Sequence, residues 1–385
     1  MTCAHFHICG GCNNPLSPYK AQLEAKALST LDEFRAFLQD LSSPFALFAS
    51  PKQAFRARAE FRFYKSEQLD FAMNTLHKNA RVPISKCPIL LPVLQAIMPL
   101  LIQNLRLDSV LHTKLYACNL LSSLQGEAII TLIYHKTLDS AWQERARILE
   151  SYLSSALNAH IHIIGRSKHQ KLILSQDTLL EQLTLFEGSE KKRIYRYYKK
   201  EAQFSQPNPF INAKMLAFVF SALQDLGVNG DLLELYCGSG NFSIMLAPLF
   251  RAVLATEVVK SAIALLHENI KLNHTYNITP VRLNAFECIE ALSLKRAFFR
   301  LKDVSLHNFA FDCVLIDPPR SGVKDREILH FLERFRLIVY VSCNPKSLLE
   351  DLQILSLTHK MTRFGLFDQF PHTHHRECIA ILHRI

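Results

Sequence analysis

The chain has 385 residues, 49% of them hydrophobic, and Lys and Arg outnumber Asp and Glu by 44 to 34. That length and apolar content suggest two packed domains and exclude a disordered chain, while a formal charge of +10 makes a polyanionic partner plausible without identifying it. The N-terminus has no basic start or continuous apolar run of a secretory signal. The most apolar stretch, residues 88–102, is broken by Pro92, Gln95 and Pro99 and falls short of the ~20 apolar residues of a spanning helix, so a cytoplasmic protein is expected.

In chain order, the texture divides into a cysteine-rich segment with a helix (residues 1–40), a mixed α+β region (41–188) and an α/β region (189–385). Ten cysteines without a secretion signal read as reduced thiols, metal ligands or catalytic groups rather than a disulfide framework. Residues 55–63 place an apolar side chain at every second position, which predicts a strand with Arg56, Arg58 and Arg62 on the opposite face. Such arginines address neighbouring phosphates or pair with local acids such as Glu60. Further strands are expected at 129–134 and 162–164, and an amphipathic helix at 139–157. The run at 191–200, Lys-Lys-Arg-Ile-Tyr-Arg-Tyr-Tyr-Lys-Lys, is either a solvated edge strand or a basic-aromatic strip that contacts RNA.

Beyond residue 190 strands and helices alternate, the pattern of a doubly wound parallel sheet. Strands are expected at 232–236, 252–257, 281–284, 311–317, 337–342, 361–368 and 378–382, with helices beginning near Phe242 and covering 260–272. In such a sheet ligands collect beyond the carboxyl ends of the strands, where strand order reverses. The turn Cys237-Gly238-Ser239-Gly240-Asn241 lets backbone approach a ligand, and Glu257 ends the next strand, placed for a ribose diol. Ser243 stands where a dinucleotide fingerprint has its third glycine, which favours adenosyl-methionine over NAD.

Two later strand ends carry reactive groups. Asp317-Pro318-Pro319 holds an acid at the rim, because consecutive prolines stop a helix from starting at once. Ser342-Cys343-Asn344-Pro345 puts a thiol ahead of a helix that begins with proline, where it should ionise more readily. Glu377 precedes the last strand. A thiolate adding to carbon 6 of uracil makes carbon 5 nucleophilic toward a methyl sulfonium, and a base must then remove the carbon 5 proton. Cys343 and Glu377 fit those tasks. The plainer readings are a buried inert thiol, a Glu377 that caps a strand or pairs with Arg376, and an Asp317 that fixes its turn. The histidines of Pro371-His372-Thr373-His374-His375 have no second ligand cluster, which argues against a metal there.

Residues 232–243, with Asp317-Pro318-Pro319-Arg320-Ser321-Gly322, Ser342-Cys343-Asn344-Pro345 and the run Leu366-Phe367-Asp368-Gln369-Phe370-Pro371-His372-Thr373-His374-His375, resemble the RNA uracil-C5 methyltransferases. The stretches at 55–62, 133–136 and 163–166 look like that family's tRNA branch. The resemblance implies a class I (Rossmann-like) methyltransferase domain at the C-terminus behind a smaller α+β RNA-binding domain. It also implies Cys343 as nucleophile, Glu377 as base, and S-adenosylmethionine contacts at Gln206, Tyr236, Asn241, Glu257 and Asp317. The substrate implied is the T-loop uridine of tRNA that becomes ribothymidine, and the equivalent loop of tmRNA. One departure stands out: Cys3, Cys9 and Cys12 with Cys87 resemble the iron-sulfur motif of the ribosomal RNA enzymes. Four thiolates suit a [4Fe-4S] cluster, the same set could hold zinc, and free thiols are the third reading. That mixture leaves 23S rRNA as a rival substrate. An RNA chaperone with incidental catalysis is the rival from another class.

Overall fold

The computed structural model describes residues 3–14, 18–65, 67–77, 80–186 and 191–385. The expected boundary between residues 188 and 189 lies outside the described residues.

An eight-stranded sheet carries the C-terminal half. Across it run Ala46–Phe48, His359–Phe367, Glu377–Arg384, Leu337–Ser342, Phe311–Ile316, Asp231–Leu235, Val253–Thr256 and Ile278–Val281. The last five are mutually parallel. Their side chains are apolar on both faces because both faces are covered, and Leu337–Ser342 is buried at every position. The helices Pro209–Asp225, Asn241–Leu246 and Lys260–Asn273 share one core with the sheet. Ala285–Leu292, Arg326–Leu332 and Pro345–Leu355 share the other, which also takes Ala27 and Phe34 from the N-terminal region.

Two features of this sheet fix the site. After Asp231–Leu235 the chain adds two strands on one side, then crosses back to add Phe311–Ile316 on the other, so strand order reverses at the carboxyl end of Asp231–Leu235. The final strand, Glu377–Arg384, runs antiparallel between Leu337–Ser342 and His359–Phe367. Its first residue therefore lies at the rim where the parallel strands end.

Local boundaries differ from expectation in one instructive place. The strand expected at 281–284 is Ile278–Val281, and Asn284 instead caps the helix Ala285–Leu292 reciprocally with Glu287.

The middle region is a seven-stranded sheet in the order Arg81–Pro83, Leu69–Asn74, Arg58–Lys65, Leu115–Ser122, Ala128–Tyr134, Ile161–Ser167, Gln170–Ile173. All neighbours are antiparallel except Ala128–Tyr134 and Ile161–Ser167, which are joined through the helix Ser140–Leu157. Asp139 caps that helix by accepting from Trp142 N, at 2.8 Å. Trp142 packs on Gly165, where a Cβ would lie 2.4 Å from the indole. The alternation read at 55–63 is present throughout, although the strand itself begins at Arg58: Phe55, Ala57, Ala59, Phe61 and Phe63 are buried, while Glu60 and Arg62 are exposed. Among the described residues no helix is long and apolar enough to cross a membrane.

The strands Thr178–Leu185 and Arg193–Lys200 pair as an antiparallel ribbon. Leu183, Leu185, Tyr195 and Tyr197 join the core of the C-terminal sheet. Arg196 N and Tyr198 N donate to Asn273 Oδ1 and Asn269 Oδ1, which tethers the ribbon to the helix Lys260–Asn273. The run at 191–200 is thus a docked strand with one buried face, not a solvated edge.

Candidate active site

At the switch point the chain leaves Leu235 and turns sharply. Tyr236, Gly238 and Gly240 all take left-handed backbone, at φ 61, 56 and 89°. Glycine at 240 is required twice over, since a Cβ there would lie 2.3 Å from Leu266 Cδ1. At Gly238 a Cβ would meet nothing within 4 Å. The bare turn borders a cavity lined by Gln206, Tyr236, Asn241 and Asp317, together with Phe204, Asn212 and Glu234. Four of the five expected cofactor contacts therefore share one cavity. The fifth, Glu257, is joined to it through the turn: its carboxylate accepts from Gly238 N at 3.2 Å and from Val259 N at 2.8 Å.

Several polar groups around this cavity escaped the reading of the sequence. Asn212 and Asn241 exchange both amide bonds, at 2.8 and 2.9 Å. Gln369 donates to Gln206 Oε1 at 2.5 Å and is itself buried. Glu234, buried beneath the turn, accepts from the Ser243 hydroxyl, and burial pushes its pKa up to about 8. The residue that lacked a third-glycine role thus has another: Ser243 serves the buried acid.

The thiol and the carboxyl expected to react lie at the neighbouring strand ends. Ser342 and Cys378 are register partners across the antiparallel junction, so Cys343, one residue past Ser342, and Glu377, one residue before Cys378, sit side by side at the rim. Burial, then Glu377 and Asp317, push the Cys343 thiol up to about 11, opposed by Arg320. This reverses the expectation of easy ionisation. The helix Pro345–Leu355 does begin two residues on, but its end is outweighed by burial and two adjacent carboxyls. Glu377 is 4% exposed, and burial followed by Asp317 holds its carboxyl well above the usual range. Asp317 is raised by burial to about 7. The plainer reading of Glu377 as a partner of Arg376 does not hold, because Arg376 pairs with Glu33 at 2.9 Å. Behind the rim, Asp351 accepts from Tyr340 Oη at 2.5 Å and Val323 N at 2.9 Å, which fixes the turn after Pro319.

The arginines of the middle sheet take different environments. Arg56 packs against Phe370 at 5.7 Å, donates to Arg58 O, and lines a cavity rather than the surface. Arg58 donates to Gln203 O. Of the three arginines read at 56, 58 and 62, Arg62 alone is exposed, stacked 4.2 Å over Tyr116. The cavity beside Arg56 is lined by Cys3, Cys9, Cys12 and Cys87. Burial and the neighbouring thiols push Cys12 to about 12, and burial is the main cause that puts Cys87 at about 11. The four thiols share a cavity, yet no group of three or more His, Cys, Asp or Glu among the described residues is arranged to hold a metal.

A switch-point cavity with a glycine turn, an acid at the next strand end and an antiparallel last strand define the class as a Rossmann-like methyltransferase. The model of the tRNA (uracil-5-)-methyltransferase family matches residues 18–385, and the chain belongs to that family. It is 58% identical over 400 residues to a tRNA/tmRNA (uracil-C(5))-methyltransferase of Helicobacter hepaticus, covering 100% of this chain and 99% of the relative. A Wolinella succinogenes protein of the same description is 43% identical, with 99% of each chain covered. The crystal structure of Pyrococcus abyssi tRNA (uracil-54, C5)-methyltransferase in complex with S-adenosyl-L-homocysteine has the same fold. It superposes with a TM-score of 0.66 at 19% identity, over 95% of this chain and 83% of that one.

Proposed function

We propose that this protein methylates carbon 5 of a uridine in RNA, with Cys343 as nucleophile and Glu377 as base. The observation that carries the reading is the adjacency of Cys343 and Glu377 at one sheet edge, next to the switch-point cavity. Gln206, Tyr236, Asn241, Glu257 and Asp317 would hold S-adenosylmethionine, which would supply the methyl group as a sulfonium. Cys343 gives up its proton to solvent and its sulfur bonds to carbon 6 of the uracil, which makes carbon 5 the nucleophile that takes the methyl as the carbon–sulfonium bond breaks and the neutral thioether leaves. Glu377 then accepts the carbon 5 proton, and the carbon 6–sulfur bond breaks to restore the thiolate and release 5-methyluridine. Burial suits Glu377 to this step, because a carboxylate with a raised pKa is a stronger proton acceptor. The rim is out of reach of a stacked base, so the uridine must be extruded, at a cost of a few kcal/mol that a loop lowers.

The substrate we infer is the T-loop uridine of tRNA and its equivalent in tmRNA, modified in the cytoplasm. The family match and the substrate names of the two bacterial relatives support it. An RNA carrying 5-fluorouridine has no proton for Glu377 to remove, so it should remain bound through sulfur. A Cys343→Ala variant that still captured it would overturn the reading. Methylation of a T-stem-loop transcript, set against a 23S rRNA fragment, tests the substrate.

The N-terminal thiols are a separate proposal: Cys3, Cys9, Cys12 and Cys87 take up a [4Fe-4S] cluster once drawn together from the cavity they line. The donor set supports it. Protein purified without oxygen should carry iron and sulfide in equal amounts, lost in Cys12→Ser. Iron-free protein from that preparation would remove the cluster.

A further inference from the structure

The helix Tyr19–Glu33 buries the wrong face. Tyr19, Gln22, Lys26 and Thr30 follow one another at helical spacing, and all are buried, whereas Leu28 is 67% exposed. Burying polar groups is costly unless each is paired. Apart from Ser50 N, which donates to Tyr19 Oη at 3.0 Å, and Lys26 O, which accepts from the Thr30 hydroxyl, the partners come from the connection between the last two strands. Tyr19 Oη and Lys26 Nζ donate to the two oxygens of Asp368, each at 2.6 Å, and Lys26 also reaches Phe370 O at 3.1 Å. Gln22 Oε1 accepts from His372 N at 3.0 Å. Thr30 accepts from Arg376 at 3.2 Å, and Glu33 closes the row with its ion pair to the same guanidinium. The Lys26–Asp368 pair is 5% and 1% exposed.

This connection ends at Glu377, the first residue of its strand, paired with Phe367, the last of the other. Terminal strand pairs fray unless the chain beyond them is tied down. We infer that Lys26 is a positioning residue for the reaction: through Asp368 it clamps the segment 368–376 to the N-terminal helix and so holds Glu377 against the carbon 5 proton. The inference rests on Glu377 being the base. Lys26 itself touches no reacting atom.

The test separates the steps before and after proton removal. Lys26→Met should lower turnover about 100-fold, the scale of a catalytic group displaced by about 1 Å. Unmodified RNA should accumulate as the sulfur-linked adduct, as it should with Glu377→Gln. Capture of 5-fluorouridine RNA, which needs no base, should proceed at the parent rate, and Lys26→Arg should restore turnover. The double variant Lys26→Met/Asp368→Asn removes the unpaired buried charge, so it should melt like the parent and still accumulate adduct. Equal losses of capture and turnover in the double variant, or parent-like turnover in Lys26→Met, would overturn the inference. Should Glu377→Gln turn over normally without accumulating adduct, the base assignment fails instead, whatever Lys26→Met does.

Discussion

Cys343 and Glu377 occupy adjacent strands one step beyond the Ser342–Cys378 pair, so a single antiparallel register brings the thiol and the carboxyl together. Each acidic neighbour disfavours the thiolate, and Arg320 is the cation that opposes them. With the thiol pushed up to about 11, the reactive fraction in the free protein should rise about tenfold per pH unit from 7 toward 10. Alkylation of Cys343 by iodoacetamide, read by mass spectrometry, checks this. Glu377→Gln removes a negative neighbour and should shift the profile to lower pH, while Arg320→Ala should shift it higher.

Asn212 is the test of how the cavity is held. It exchanges two amide bonds with Asn241, which lines the cavity proposed to hold the cofactor. Asn212→Ala leaves Asn241 free to turn and its amide without either partner. At about 1 kcal/mol for each lost bond, the dissociation constant for S-adenosylmethionine should rise roughly 10- to 30-fold, measured by calorimetry. Uridine capture in saturating cofactor should be unchanged.

How much of this was legible in the sequence depends on distance along the chain. The strand ends announce themselves locally, through Gly238 and Gly240, through Pro318-Pro319, and through Pro345 after Cys343. Asn284 and Glu287 carry a local capping signal too, within the range expected as a strand at 281–284. Gln206 sits in a loop with no periodicity, so only the family resemblance exposed it. Gln369 and Asn212 matter through partners 163 and 29 residues away. The clamp at Lys26 joins residues 342 apart, and no local pattern predicts that. The raised pKa of the Cys343 thiol has a related cause: a helix end is visible in sequence, whereas burial among carboxyls from two other strands is not.

Glu234 makes stability depend on pH. Its pKa is about 8 in the folded chain and near the ordinary carboxyl value of 4.5 unfolded, so between those values the folded state holds the extra proton. Stability from this group is full below 4.5 and is lost as pH rises through about 8. Glu234→Gln keeps an acceptor for Ser243 and carries no charge. The variant should melt above the parent at pH 9, by an amount equivalent to a few kcal/mol, and the gap should close at pH 5. A parent whose melting temperature stays level across that range would contradict the assignment.

Arg58 and Arg62 share a strand and a face, yet the structure gives them different duties. Arg62 is exposed, makes no ion pair among the described residues, and stacks on Tyr116, which in turn packs on His135 at 4.2 Å. A cation held rigid by an aromatic ring and free of carboxylates is suited to a phosphate. Arg62→Ala should therefore weaken RNA binding for every sequence and reduce the slope of log affinity against log salt by about 1. Arg58 spends its guanidinium on Gln203 O, three residues before the proposed cofactor contact Gln206. Arg58→Ala should instead raise KM for S-adenosylmethionine with little change in the salt slope. The two slopes, measured by fluorescence anisotropy on one tRNA, decide between this division and a continuous basic stripe, since a stripe would lose the same increment from either variant.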